Sequence, residues 1–316
     1  MHPSLSLDRL TVPGFARVDV VETSPSTNAE LAAAVRADPA AWPAPSALVA
    51  EEQTAGRGRA GRTWETPPRA SLTVSVLLRP RVPAETLGWL PLLAGLAVVR
   101  AVSDGGVAAA VKWPNDVLLP APDAVEGLGP YRKVAGILAE VVPEAPGAGS
   151  AGATGAGPAA PAVVLGIGLN VSQSAEELPV PTATSLALAG RPRPDRTDVL
   201  VRMLGELHAV VRRWEEADGD VAAAGLLDEY RAVSATLGTR VRAELAGGAG
   251  EVVGEAVGLD ETGALAIRTD AGEARTVTAG DVWHLRRARR PHDRVNRPAD
   301  PGELVGSPCR AAPDLR

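Results

Sequence analysis

Residues 56–62 concentrate positive charge and backbone freedom in one short segment. The sequence there is Gly-Arg-Gly-Arg-Ala-Gly-Arg, with three arginines and no acid. Glycines let backbone amides approach a ligand closely, and a guanidinium binds a phosphate or a carboxylate through two hydrogen bonds. The segment therefore predicts an anion-binding loop, with a solvated, flexible loop as the alternative. It is not a Walker loop, because no Gly-Lys-Ser/Thr follows.

A second group of polar residues surrounds a proline. The sequence is Lys112-Trp113-Pro114-Asn115-Asp116, and Pro114 keeps Trp113 extended. Lys112 is then expected at a strand end, with Asn115 and Asp116 in a turn. A lysine, an amide and a carboxylate would crowd one corner, where they could act on an anionic substrate. The alternative is a strand-turn-strand corner built around a buried tryptophan.

Two apolar strands also carry residues that need an explanation. Lys133 opens the strand that continues to Leu138; a lysine there is either a ligand contact or a solvated strand end. Gly166 and Gly168 interrupt a buried strand, which they weaken unless something lies against the backbone. That neighbour is either a ligand or another packed element.

Ser26, Thr27 and Asn28 lie at the expected start of a helix. Thr27 is followed by Glu30 three residues later, which predicts a capping box and a helix that runs to about Arg36. The free backbone amides of a helix N-terminus suit acceptor groups of a ligand. An ordinary helix cap is the alternative.

The pattern of apolar residues predicts an α+β protein with two structural parts. Strands are predicted at residues 18–21, 47–50, 71–78, 107–113, 116–119, 133–142 and 162–171, and helices at 27–36, 86–102, 197–217 and 221–233. Beyond Thr239, short strands at 240–245, 251–259, 265–269, 274–277 and 282–285 are divided by Gly-rich turns. This second pattern indicates a small β-barrel.

These elements divide the chain into three expected segments. Residues 1–235 form the larger domain, which contains a disordered Gly, Ala and Pro insertion at 143–161. Residues 236–287 form the small barrel, and residues 288–316 form a disordered tail. The arginine run at 286–290 is similar to a nucleic-acid patch, but its Pro-rich surroundings favour a solvated charge run.

Composition excludes several classes of protein. The 316 residues carry a formal net charge of −6, so the whole chain is not built to coat nucleic acid or an anionic membrane. The single cysteine, Cys309, excludes an intramolecular disulfide framework and a cysteine-rich zinc site, and the scattered histidines predict no metal site. Without a signal peptide or a long apolar run, we expect a cytoplasmic protein with no membrane partner.

The order of the motifs resembles the biotin–protein ligases. The succession is Ser-Thr-Asn, Gln53, Gly-Arg-Gly-Arg-x-Gly-Arg-x-Trp, Lys-Trp-Pro-Asn-Asp, Lys-x-Ala-Gly-Ile-Leu and Gly-Ile-Gly-x-Asn-Val, spread from about Ser24 to Thr184. The resemblance implies a catalytic domain related to class II aminoacyl-tRNA synthetases, a mixed sheet with packed helices, and the C-terminal barrel fits as well. Only about 25 residues precede Ser26, as counted along the sequence, too few for a winged helix-turn-helix. The resemblance is therefore to the monofunctional type with no DNA partner.

The resemblance also implies roles for individual residues. Catalysis is assigned to Lys112, Arg59 and Lys133. Biotin contacts are assigned to Ser26, Thr27, Asn28, Gln53, Arg57, Gly58, Arg59 and Lys133. Contacts with ATP or the adenylate are assigned to Arg62, Trp64, Lys112, Asn115 and Asn170. Ala60 stands where the commonest form of the loop has another arginine, and the insertion Pro120–Arg132 separates Lys112 from Lys133.

The implied reaction activates biotin with ATP, as its Mg²⁺ complex, to biotinyl-5′-AMP. The biotinyl group then passes to a lysine of a biotin carboxyl carrier domain of acetyl-CoA carboxylase or a related acyl-CoA carboxylase. ATP and biotin are substrates, no tightly bound cofactor is expected, and a homodimer is an open expectation. Two alternatives remain: a lipoate–protein ligase with the same fold, and a nucleic-acid-binding module that uses the arginine-rich segments.

Overall fold

The described residues form fourteen strands and four α-helices. The computed structural model describes residues 2–103, 108–143, 161–191, 194–245, 250–278 and 280–285. The strands are β1 (Arg17–Ser24), β2 (Ser46–Gln53), β3 (Gly56–Arg57), β4 (Thr63–Trp64), β5 (Ser71–Leu78), β6 (Ala110–Lys112), β7 (Asp116–Val125), β8 (Gly129–Val142), β9 (Ala162–Asn170), β10 (Arg240–Leu245), β11 (Glu251–Leu259), β12 (Leu265–Thr269), β13 (Ala274–Val277) and β14 (Gly280–His284). The helices are α1 (Thr27–Ala37), α2 (Leu90–Ser103), α3 (Arg196–Glu216) and α4 (Leu226–Ala232).

A seven-stranded mixed sheet forms the centre of the larger part. Its order is β1-β2-β5-β9-β8-β7-β6. The pair β1–β2 is parallel, and the other neighbours are antiparallel. Every residue of β5 is buried, as expected for a strand in the middle of a sheet that is covered on both faces. The predicted α+β class and mixed sheet are confirmed.

Helix α2 is the apolar helix of the core. Most of its residues, including Leu93 and Val98, are completely buried against the sheet and α3. The segment Ala84–Ser103 is long and apolar enough to cross a membrane, but 72% of its apolar window is buried inside the fold. The first residues of the predicted helix 86–102 belong instead to a 3-10 turn at Ala84–Trp89. Gly88 in this turn lies close to the backbone of Thr262, because a Cβ on Gly88 would lie 2.3 Å from the Thr262 carbonyl oxygen.

The C-terminal strands form a five-stranded antiparallel sheet in the order β13-β12-β11-β10-β14. It packs on the larger part through two buried indoles. Trp89 Nε1 donates to the carbonyl oxygen of Glu261 at 3.1 Å, and Trp113 Nε1 donates to that of Gly263 at 3.0 Å. Both tryptophans are almost completely buried. The hydrogen bond from Trp113 therefore links the corner that contains Lys112 to the small sheet.

Several local expectations differ from the structure. Residues 120–132, described above as an insertion, form much of the β7–β8 hairpin, whose ladder pairs Pro120 with Tyr131. Helix α4 is shorter than predicted, because Asp220 Oδ1 accepts the amides of Ala222 and Ala223 in a turn before it. Most of the predicted insertion at 143–161, the arginine run at 286–290 and the predicted tail at 288–316 lie outside the described residues.

Candidate functional site

A cavity of about 710 Å³ opens between the N-terminus of α1, strands β8 and β9, and the Gly/Arg segment. The cavity brings together almost all of the predicted site residues. Those that line it are Ser26, Thr27, Asn28, Gln53, Arg57, Gly58, Arg59, Arg62, Trp64, Asn115 and Lys133.

Two predicted site residues do not line this cavity. Lys112 lies in a narrow crevice next to the cavity, too small to hold a water molecule, and Asn115 lines both the crevice and the cavity. Asn170 is buried, and its side chain is used inside the protein: Nδ2 donates to the Thr184 carbonyl at 3.0 Å, and Oδ1 accepts from Gln173 Nε2 at 2.9 Å. The assignment of Asn170 to the nucleotide stays a prediction for which the geometry offers no direct contact.

The start of α1 is a ligand-facing corner rather than a capping box. Ser26 occupies the cap position without a side-chain cap, and Thr27 is already the first helical residue. Gln53 Oε1 accepts the Thr27 backbone amide at 2.9 Å and lies 3.1 Å from Thr27 Oγ1. Glu30 accepts from Ser24 Oγ at 2.5 Å instead of returning to the cap. The predicted Thr27–Glu30 capping box is wrong, because β2 supplies the partner through Gln53.

The Gly/Arg segment folds into a small hairpin over the cavity. Strands β3 and β4 pair Gly56 with Trp64, and the amide of Gly58 donates to the Arg62 carbonyl at 2.7 Å. Arg59 Nη1 donates to Asn115 Oδ1 at 3.3 Å. Burial lowers the pKa of Arg59, although Asp116 opposes this effect. The hairpin therefore places Arg59 against the corner that follows β6.

Arg62 reaches outward to the small sheet. Its guanidinium forms an ion pair with Asp281 on β14. Residue Ala60 between the arginines has a φ of 52°, a left-handed conformation that is uncommon for a residue with a side chain. The cavity wall is thus joined to the C-terminal sheet by a charge contact.

The only two lysines in the sequence converge on one carboxylate. Lys133 Nζ lies 2.6 Å from Asp116 Oδ1, and Lys112 Nζ lies 4.0 Å from Asp116 Oδ2. The Lys112 side chain is 10% exposed. Burial lowers its pKa, Asp116 raises it, and the neighbouring cations Lys133, Arg62 and Arg59 lower it further. Sequence reasoning placed Asp116 at this corner but did not assign it to the site.

The indole of Trp64 lies against the two glycine-bearing strands. A Cβ on Gly168 would be 2.4 Å from Trp64 Cε2, and one on Gly136 would be 3.2 Å from its Cζ3. A Cβ on Gly166 would be 2.4 Å from Asn28 Oδ1. Close packing of side chains therefore explains the glycines in β9. Trp64 Nε1 is buried without a hydrogen bond to a described residue, and Lys133 Nζ lies 5.6 Å from the Trp64 ring.

Three kinds of side chain line the cavity. Neutral polar groups of Thr27, Asn28 and Gln53 form a polar corner, and the side chains of Val74 and Ile137 contribute apolar wall. Four cationic side chains also line the cavity; these are Arg57, Arg59, Arg62 and Lys133. This lining suits a ligand that has a polar head, an apolar part and an anionic group. Within the described ranges given above, no group of three or more His, Cys, Asp and Glu side chains is arranged to hold a metal ion.

Comparison with known proteins agrees with this geometry. Residues 20–154 match the biotin/lipoate A/B protein ligase family, and residues 236–285 match the biotin protein ligase C-terminal domain. The chain is 42% identical over 278 residues to the biotin–[acetyl-CoA-carboxylase] ligase of Mycobacterium tuberculosis, covering 86% of this chain and 91% of that protein. It is 31% identical over 236 residues to the bifunctional ligase/repressor BirA of Bacillus subtilis, covering 73% of this chain and 64% of that protein.

A solved structure has the same fold. The biotin protein ligase from Aquifex aeolicus in complex with biotin and ATP superimposes with a TM-score of 0.65 at 26% identity. The match covers 86% of this chain and all of that chain. The similarity extends through both the catalytic part and the small sheet.

Proposed function

Because the chain belongs to the biotin protein ligase family, we propose that it performs the reaction for which its relatives are named. It activates biotin with ATP to biotinyl-5′-AMP and transfers the biotinyl group to acetyl-CoA carboxylase. The observation that carries the proposal is the cavity, whose lining combines a neutral polar corner, apolar side chains and four cations. Biotin has a cyclic urea at one end and a carboxylate at the other, with an apolar chain between them.

The first half-reaction brings two anions together. A carboxylate oxygen of biotin attacks the α-phosphorus of ATP, a new P–O bond forms, and pyrophosphate leaves with the electrons of the bond that breaks. Cations must offset the repulsion and stabilise the transition state. We assign Lys133 and Arg59 to the biotin carboxylate, because both line the cavity. We assign Lys112 to the phosphate, because it lies next to Asn115, which itself lines the cavity.

Asp116 has a supporting role in this step. It neither lines the larger cavity nor adds positive charge, but it contacts Lys133 and lies near Lys112. Its negative charge favours the protonated form of the buried Lys112, which is the form that attracts phosphate. In the second half-reaction the amine of an acceptor lysine attacks the acyl carbon, loses a proton and displaces AMP, so no covalent enzyme intermediate is required.

The finer features of the reaction are part of the same proposal. ATP enters as its Mg²⁺ complex, and the chain holds no tightly bound cofactor of its own. The acceptor is the lysine of a biotin carboxyl carrier domain. The reaction takes place in the cytoplasm, where ATP is supplied, and the homodimer suggested by the resemblance is open to direct measurement.

The activation step can be tested without the acceptor. Exchange of labelled pyrophosphate into ATP is expected to depend on biotin and to be absent with lipoate, because lipoate has no cyclic urea for the polar corner. If lipoate supported pyrophosphate exchange at the same rate as biotin, the result would favour a ligase of the lipoate type.

A further inference from the structure

Ser75 occupies the centre of the polar corner although it does not line the cavity. It lies on β5 and is completely buried. Its Oγ is 2.7 Å from Thr27 Oγ1 and 2.6 Å from Asn28 Oδ1. Because Ser75 is fully buried in an interior strand of the sheet, its single proton and its lone pairs are used by these two neighbours.

The orientation of the Asn28 amide fixes where the Ser75 proton goes. Asn28 Nδ2 lies 2.7 Å from Glu140 Oε2 and 3.2 Å from the Leu138 carbonyl oxygen. Both are acceptors, so the amide nitrogen must face them, and Oδ1 must face Ser75. Because Oδ1 can only accept, the Ser75 hydroxyl donates its proton to Asn28.

A count of the available protons also determines the direction in which the Thr27 hydroxyl donates. Three contacts, Ser75 with Asn28, Ser75 with Thr27, and Thr27 with Gln53, share only two hydroxyl protons. Once Ser75 donates to Asn28, the 2.7 Å contact needs the Thr27 proton. The longer 3.1 Å contact with Gln53 Oε1 is then between two acceptors, and Gln53 Oε1 is held by the Thr27 backbone amide instead.

We propose that Ser75 is a positioning residue that fixes Thr27 as a hydrogen-bond acceptor toward the cavity, and that this polarity selects a ligand head with ring N–H donors. Donation runs in one direction, from Thr27 to Ser75, to Asn28 and to the exposed carboxylate of Glu140. Thr27 Oγ1 and Gln53 Oε1 then face each other as two acceptors without a donor between them. An N–H group of the ligand supplies that donor. The inference rests on the proposed function, for which the head group is the cyclic urea of biotin; the dithiolane ring of lipoate has no such donor.

Calorimetric titration of the full chain tests the inference. In S75A the Thr27 proton is released to turn toward Gln53 or the cavity, where it competes with the ligand N–H. The dissociation constants of biotin and of desthiobiotin, which keeps the cyclic urea, are both expected to rise about three- to tenfold, while that of ATP stays unchanged. The matched control is S46A. Ser46 is the first residue of β2, and its equally buried hydroxyl bonds to the Pro43 carbonyl. The S46A variant is expected to bind biotin as the wild type does.

A double-mutant cycle separates this role from simple packing. T27V keeps the shape of Thr27 without its hydroxyl, so S75A is expected to cause no further loss of biotin affinity in that background. S75C, with a weak S–H donor of similar shape, should fall between wild type and S75A and serves if S75A does not fold. An equal loss in both backgrounds, an equal loss of ATP affinity, or unchanged biotin binding in S75A would overturn the inference. Failure of the wild type itself to bind biotin would overturn the proposed function instead.

Discussion

Lys133 Nζ lies 2.6 Å from Asp116 Oδ1. Asp116 is the first residue of β7, and it is paired with Lys112 in the β6–β7 ladder. Asp116 is paired with Gly136 on the other side, in β8. One carboxylate therefore lies between the two lysines of the chain. Without it, the Lys112 ammonium would be buried beside the cations Arg59, Arg62 and Lys133 with no negative charge to favour its protonated form.

This relationship predicts a pH effect in D116N. Burial already lowers the Lys112 pKa, and Asp116 opposes the shift, so removing the carboxylate lowers that pKa further. Lysine is active when charged, and its contribution is lost as pH rises through the pKa. The alkaline limb of the rate of adenylate formation is expected to move to lower pH in D116N. D123N, at an exposed position of the same strand, should leave the limb in place, and an unmoved limb in D116N would contradict the role of Asp116.

Lys112 is expected to act on the reaction rather than on biotin binding. K112M keeps the packing of the side-chain stem and removes the charge, so adenylate formation should fall about 100- to 1,000-fold, with the biotin dissociation constant changed less than threefold. K133M provides the contrast, because Lys133 lines the biotin cavity and its loss should weaken biotin itself. The measurements are pyrophosphate release and calorimetry. Equal losses of rate and biotin affinity in K112M would mean that Lys112 only shapes the pocket.

The ion pair between Arg62 and Asp281 should compete with ATP. A phosphate that binds Arg62 must displace the Asp281 carboxylate, so D281A is expected to lower the KM for ATP about two- to fivefold, the range of a partly exposed pair. The matched control is D270A, which removes an exposed ion pair with Arg240 in the same sheet. A higher KM for ATP in D281A would show that Asp281 holds Arg62 in its binding position.

Arg59→Gly should loosen the hold on the adenylate. The change removes the contact with Asn115 and one charge-assisted contact with the ligand, worth roughly 1.5–3 kcal/mol, or tenfold and more in retention. Biotinyl-AMP should escape and label lysines of an unrelated protein. The background is low because the enzyme itself has only Lys112 and Lys133. The measurement is biotin on a lysine-rich bystander, with the same protein acetylated as the control; normal adenylate formation without extra labelling would refute the retention role.

The sequence predicted the strands of this fold well because their signals are local. All four strand ranges between Arg240 and Val277 coincide with those of the structure, since each is a short segment between glycine-containing turn sequences. The length of helix α4 was overestimated because the amides before it are held by Asp220. The β-structure of residues 120–132 was not predicted, because Pro120 and Pro130 interrupt the strand pattern of a long hairpin.

The site was predictable where its residues belong to motifs and not where they act through contacts between distant strands. The Thr27–Glu30 spacing predicted a capping box, but the partner of Thr27 is Gln53, twenty-six residues away. Ser75 and Glu140 were missed for the same reason. The signal for Ser75 was a serine in the middle of the predicted strand 71–78, and only the three-dimensional neighbours Thr27 and Asn28 show what it bonds.

The mass of the acceptor shows directly whether this chain transfers biotin. A biotin carboxyl carrier fragment of acetyl-CoA carboxylase would be incubated with the wild-type chain, biotin and MgATP, and its intact mass would be measured. We expect a gain of one biotinyl group, with no gain when ATP is omitted or when the acceptor lysine is replaced by arginine. An unchanged acceptor mass in the complete reaction, or a lipoyl gain when lipoate replaces biotin, would contradict the proposed function.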